Sequence, residues 1–394
     1  MLNNLKINKA FTLLVISIIF LIIVTAFIIT KEKPSTPLEK PVIEESQGGK
    51  VNITKFTKEV YTIPTADNFE ITLTRYIGHK KPPIILIHGM GGNHLIFDWD
   101  KNHSLARFLA ADNWDVWLLD LRTHDGDGDF LFGKLRGLDS DREYMNRYWD
   151  FDRTYLKKDV VAAVEFVKEK TKQDKIILGG QSYGGYLAYA YAELIGENDL
   201  AGIITTGASP YANPEDFQPS FSEMNNYGFY LGEKAFVRPF GHPYTTWAKY
   251  QIDYYIKNFQ TAETLFCKDT TSEFIQKDIC YCGDNEPAGV WVDIYFGKNP
   301  RKYDGHWVDP QTLYDYSANL HKITVPIIFI AGENDLQDPS DDVYKAYESV
   351  SSEYKKFLEF DDHSHLDLVL GDDAKDLIFP EITDWLNSIF FVID

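Results

Sequence analysis

The sequence predicts an α/β fold with a mostly parallel central sheet flanked by helices. From residue 59 onward, short β-branched runs alternate with longer amphipathic stretches, the pattern of strands joined by helical crossovers. The strongest runs, "PIILIHG" and "WDVWLLDL", are apolar throughout, as strands covered on both faces are. The alternation breaks between about residues 210 and 322. Long insertions between strands of such a sheet sit at its carboxyl edge, where ligands bind, so a mixed or helical cap over a site is expected there.

In chain order, "FEITLTRYI" alternates like an early half-buried strand, and "PIILIHG" follows as a buried one. "HSLARFLAAD" has helical spacing and leads into the strand "WDVWLLDL". An irregular stretch, "RTHDGDGDFLFGKLRGLDSDREYMNRYW", delays the next helix, "LKKDVVAAVEFVKEK", whose apolar residues recur at helical intervals with charge opposite. "DKIILGG" is the next strand, "YLAYAYAEL" a helix and "LAGIITTGA" a further buried strand. After the insertion, "VPIIFIAG", "DDVYKAYESV", "YKKFLEF" and "FPEITDWLNSIF" continue strand, helix, strand, helix.

Ahead of this body, residues 10 to 30 form an uncharged apolar run long enough to cross a bilayer, preceded by Lys6 and Lys9. Residues 1–30 are therefore expected to be a transmembrane signal-anchor, with a signal peptide cleaved after Ala26 as the alternative. Residues 31–58, with three prolines in "KEKPSTPLEKPVIEESQGGK", read as a flexible tether, and residues 59–394 as one catalytic domain outside the membrane. The alternative is secretion after cleavage. Sequons at Asn52 and Asn102 suit an exported domain. A formal charge of -20 with no Lys/Arg-rich block excludes nucleic acid as a partner, because phosphate binding needs concentrated positive charge.

Chemistry concentrates in "GGQSYGG". Ser182 stands in G-x-S-x-G between an expected strand and an expected helix, the setting in which a strained turn presents a nucleophilic serine. Upstream, "ILIHGMGGN" ends a strand in a glycine turn, so the backbone amides of Met90 and Tyr183 are the expected oxyanion donors. A serine nucleophile needs a base, and the base needs an orienting carboxylate. "GENDLQDP" offers Asp335 as the acid, with Glu333 and Asp338 as rivals. "DDHSHLDL" offers His365 as the base, with His363 as its rival. All follow strands on the edge expected to carry Ser182.

"GENDLQDPSDDV" followed by "HSHLDLVLGDDAKDLIFPEI" resembles the C-terminal part of the acid lipase family, the gastric and lysosomal lipases of the α/β-hydrolase superfamily. "SLARFLAADNWDVWLLDLR" is similar to the family's helix and strand ahead of the elbow, and "CKDTTSEFIQKDICYCG" to a cysteine-bearing stretch of its cap. The resemblance implies the α/β-hydrolase fold and, residue by residue, Asp335 as acid and His365 as base. Two departures stand out: Gln181 and Tyr183 replace the family's usual elbow residues, and "HGMGG" replaces its H-G-L-L. Neither removes a backbone donor.

Cys267, Cys280 and Cys282 lie together in the insertion with no histidine inside that segment to complete a zinc site. In an exported domain a disulfide between Cys267 and Cys280 is expected, with the third thiol free. "DGDGD", Asp125 to Asp129, is followed by Arg136 where a calcium loop needs glutamate, so it reads as a solvated acidic loop. No metal and no cofactor are expected. The expectation is a serine carboxylic-ester hydrolase, lipase- or esterase-like, acting on a small-molecule or lipid ester with an apolar acyl group. The same triad serves peptidases, thioesterases and acyltransferases, and a non-catalytic membrane-anchored binding module is a further alternative.

Overall fold

The computed structural model describes residues 57–78, 81–122, 124, 150–212, 270–272 and 303–393, all within the compact unit Thr54–Asp394. The apolar run at 10–30, the tether up to residue 56, Asn52, Asp125–Asp129, all three cysteines and most of the insertion lie outside the described residues, and Lys58, the tether's expected last residue, is already in a strand. Among the described residues no helix is long and apolar enough to cross a membrane. Asn102, the other sequon, is exposed.

Eight strands among these residues form one sheet in the order β1-β2-β4-β3-β5-β6-β7-β8. They are β1 (Lys58–Pro64), β2 (Glu70–Tyr76), β3 (Pro83–Ile87), β4 (Asp115–Asp120), β5 (Ile176–Gln181), β6 (Leu200–Thr206), β7 (Ile327–Gly332) and β8 (Lys355–Phe360). β1, β2 and β4 pair antiparallel, and every pairing from β4 through β8 is parallel. β1 is the strand the sequence does not single out: as an edge strand it exposes alternate residues and needs no apolar run.

The helices are α1 (Leu105–Ala111), α2 (Val161–Thr171), α3 (Tyr183–Leu194), α4 (Tyr316–Asn319), α5 (Ser340–Ser349), α6 (Asp367–Leu370) and α7 (Ala374–Ile393). α2 is entered through a wider, π-helical stretch, Phe151–Val160, capped by the Asp150 carboxylate on the amides of Arg153 and Thr154. Because side chains alternate along a strand, each parallel strand feeds two cores. Ile85, Ile87, Trp117, Leu119, Leu178 and Phe329 face one packed layer with α2 and α3. Ile84, Leu86, Val116, Leu118, Ile177 and Ile330 face the other, with α1 and α7.

One buried charge cluster ties the β4 end to its surroundings. The Arg122 guanidinium, fully buried, donates to Asp159 at 2.9 Å and to Asp67 at 3.0 Å. Lys158 adds a 3.0 Å contact to Asp67. Asp67 lies in the β1–β2 turn, Arg122 just past β4 and Asp159 in the π-helical stretch, so the cluster holds these three elements together.

Candidate active site

β5 ends at Gln181 and α3 begins at Tyr183, leaving Ser182 alone at the junction with φ 52° and ψ -119°. A non-glycine residue at positive φ is strained, and here its neighbours hold it. The Ser182 amide donates to Thr206 O at 2.9 Å, and its carbonyl accepts from Gly185 and Tyr186. Ser182 is half-buried between buried neighbours on both sides. The glycines of "GGQSYGG" answer to close packing: a Cβ on Gly180 would lie 2.1 Å from the Gly184 backbone, and one on Gly184 2.0 Å from Ile87 O. Helix and strand therefore touch backbone to backbone under the serine.

Met90 sits beside this elbow. β3 and β5 are neighbours, and a Cβ on Gly89 would lie 3.3 Å from the Ser182 Cβ. Gly92 N–H closes the turn on Gly89 O at 3.1 Å, which leaves the Met90 amide outside the turn's own hydrogen bond. His88 braces the turn from below. Its Nε2 accepts from the Leu121 amide at 3.3 Å, so its Nδ1 carries the proton that reaches Gly89 O at 2.8 Å. Next along, the His94 amide and ring Nδ1 both reach Asp120, at 2.7 and 2.8 Å. Burial works against charging His94, and the Asp120 carboxylate outweighs it, so the imidazole's pKa is raised.

The loops that follow β7 and β8 meet near the elbow. His365 Nδ1 lies 2.8 Å from Asp335 Oδ2, both side chains being almost fully buried. The other Asp335 oxygen accepts from the amides of Gln337 and Asp338 at 2.8 and 2.9 Å, which fixes the carboxylate plane. With Nδ1–H engaged on Asp335, the ring's Nε2 is the lone-pair nitrogen. The rivals are occupied elsewhere. His363 Nδ1 meets Asp361 O at 2.7 Å and its Nε2 meets Asp373 at 3.1 Å. Glu333 accepts from the Asp362 amide. Asp338 accepts from Tyr186 Oη and from the Ser209 amide at 3.2 Å. Burial first, and that carboxylate second, push the Tyr186 hydroxyl well above the ordinary phenol range, which keeps it a donor.

Four further residues were not foreseen from the sequence. Gly207, directly after β6, has φ 52°, and a Cβ there would lie 3.0 Å from Asp335 Oδ2 and 3.1 Å from His365 Nδ1. Thr206 beside it holds the Ser182 amide, so one two-residue step joins elbow and dyad. Tyr186, one turn along α3 from Ser182, reaches across to the acid loop. Asp367 is fully buried and accepts the Ser364 amide at 2.8 Å. The glycine after a buried strand in "TTGAS" and the aspartate in "HLDL" were the available signals. Tyr183, at the elbow's variable position, turns its ring into the core against Phe151, with centroids 5.3 Å apart.

A family profile described as alpha/beta hydrolase fold matches residues 82–233. A probable lipase of Schizosaccharomyces pombe is 23% identical over 370 residues, covering 84% of this chain and 75% of that protein. Gastric triacylglycerol lipase of Rattus norvegicus is 25% identical over 367 residues, covering 82% of this chain and 83% of its own. Among solved structures, a soluble variant of monoglyceride lipase from Saccharomyces cerevisiae superposes with a TM-score of 0.58 at 13% identity, covering 86% of this chain and 98% of that one.

Proposed function

We propose that this chain, matched in part by an alpha/beta hydrolase fold profile and similar over most of its length to lipases, is an acid lipase-like serine ester hydrolase that cleaves carboxylic esters with an apolar acyl group through Ser182, His365 and Asp335. The observation that carries this assignment is the buried 2.8 Å Asp335–His365 contact, reached through Gly207 from the strained Ser182 elbow. Ser182 Oγ attacks the ester carbonyl while His365 Nε2 takes its proton, and Asp335 stabilises the imidazolium that forms. The amides of Met90 and Tyr183 hold the oxyanion of the tetrahedral intermediate, Tyr183 from the positive end of α3. Collapse expels the alcohol, which takes the proton back from His365. Water then attacks the acyl-enzyme by the same route and releases the acid.

Lipid esters are the substrate class we favour, because the similar proteins include triacylglycerol and monoglyceride lipases. The apolar run at residues 10 to 30 supports an anchor that keeps the domain beside a lipid surface. The test is hydrolysis of p-nitrophenyl esters of graded acyl length by the full chain in detergent. Ser182→Ala is expected to lower kcat by roughly four to six orders of magnitude, with the wild-type profile rising toward longer chains. Ester activity surviving in Ser182→Ala would overturn the assignment. Turnover of amide or thioester substrates in preference to esters would replace the substrate class while keeping the triad. Alkaline carbonate extraction tests the anchor: the full chain should stay with membranes, and a chain lacking residues 1–50 should not.

A further inference from the structure

Residues 270–272 belong to the long insertion, yet they are stitched to the loop that presents His365. Thr271 Oγ1 donates a short hydrogen bond to Asp367 Oδ1, and the other oxygen of that carboxylate accepts the Ser364 amide at 2.8 Å. Ser364 is the residue next to His365. The Thr270 carbonyl accepts from the Asp372 amide at 2.8 Å, so the segment is held at a second point beyond α6. Asp372 is itself fixed, its carboxylate 2.8 Å from His103 Nε2, while His103 Nδ1 lies 3.0 Å from Asp100. Among the described residues the Thr271 side chain thus joins the insertion to the loop bearing His365, and Asp367 carries the connection.

We propose that Thr271 is a positioning residue for His365, acting through Asp367. The Thr271 hydroxyl on one oxygen and the Ser364 amide on the other set the plane of the Asp367 carboxylate, and the peptide ahead of His365 is fixed with it. The imidazole then keeps its alignment on Asp335 through a bond that the Thr271 hydroxyl completes. This rests on the reading of His365 as the base. It adds that a residue of the insertion helps to set the geometry of the site.

The test uses the full chain in detergent with a p-nitrophenyl ester. Thr271→Val keeps the shape and removes the hydroxyl, Thr271→Ala removes it without crowding, Thr271→Ser restores it, and His365→Ala is the control. We expect Val and Ala to lower kcat about tenfold or more with KM within about twofold. The acid limb of kcat/KM against pH should move to lower pH, because an imidazole less often on Asp335 is easier to deprotonate. Thr271→Ser should return both toward wild type. A wild-type kcat and pH profile in Val and Ala, with His365→Ala inactive, overturns this inference alone. Activity retained in His365→Ala overturns the base assignment and this inference with it.

Discussion

Single atoms decide much of this site. Gly207 stands where a methyl group would press on both the carboxylate and the imidazole, in a backbone conformation that L-residues disfavour. Gly207→Ala is therefore expected to cost about 1–2 kcal/mol of stability from the left-handed backbone. It should also lower kcat more than it changes KM, read from urea denaturation and steady-state kinetics together. Glu193, near the end of α3, is a buried carboxyl whose oxygens make no hydrogen bond of good geometry among the described residues, with Tyr314 within reach only as a weak donor. Burial raises its pKa well above the ordinary 4.5, outweighing the opposing influence of Tyr314 and Lys322. A raised folded-state pKa means that the unfolded chain gives up its proton first, so the penalty grows as pH climbs above 4.5. Glu193→Met should then stabilise the protein by about 1–3 kcal/mol at pH 8 and by less at pH 4, as denaturation at the two pH values would show. Residue type and chain order were enough to propose Ser182 and a following acid and base, and the family resemblance to prefer Asp335 and His365 among their neighbours. Gly207 and Glu193 were not legible, since what matters about them is who stands opposite, and the sequence is silent on that.

At the scale of elements, the agreement is closest where one strand or helix buries itself by its own pattern. β3 to β8 and α1 to α3 fall where periodicity and apolar runs put them. β1 was hidden because an edge strand covers only one face, and the π-helical entry to α2 because wide turns carry no periodic signal of their own. The Arg122 cluster belongs to the same class of long-range facts: Asp67, Arg122 and Asp159 come from three separate stretches. Breaking it strands a fully buried carboxylate at Asp159, whose pKa burial already raises despite the guanidinium. Arg122→Leu is expected to cost about 3–5 kcal/mol in denaturant unfolding. Recovery of that loss in Arg122→Leu with Asp159→Leu would show that the cost lies in the orphaned charge.

For the whole molecule, a charge of -20 and a sequence pI near 4.9 set a background of self-repulsion at neutral pH. Added salt screens exposed charges and leaves buried pairs largely intact. Stability should therefore rise, on the order of 1 kcal/mol, between 50 and 500 mM NaCl, with a smaller gain at pH 5. The layer formed by α1 and α7 has a different consequence, for biosynthesis. Its core joins Leu105, Leu109 and Trp114 to Ile378, Phe379, Ile382, Leu386 and Ile389, and Lys81 reaches Asn387 at 2.7 Å. Translation at about 5–20 residues per second puts tens of seconds between the emergence of β4 and that of α7. Through that interval the nascent strands carry one oily flank whose described cover is α1 and the short turn at His94–Phe97, open to chaperones and aggregation alike. Closure of that flank waits for α7 to leave the ribosome.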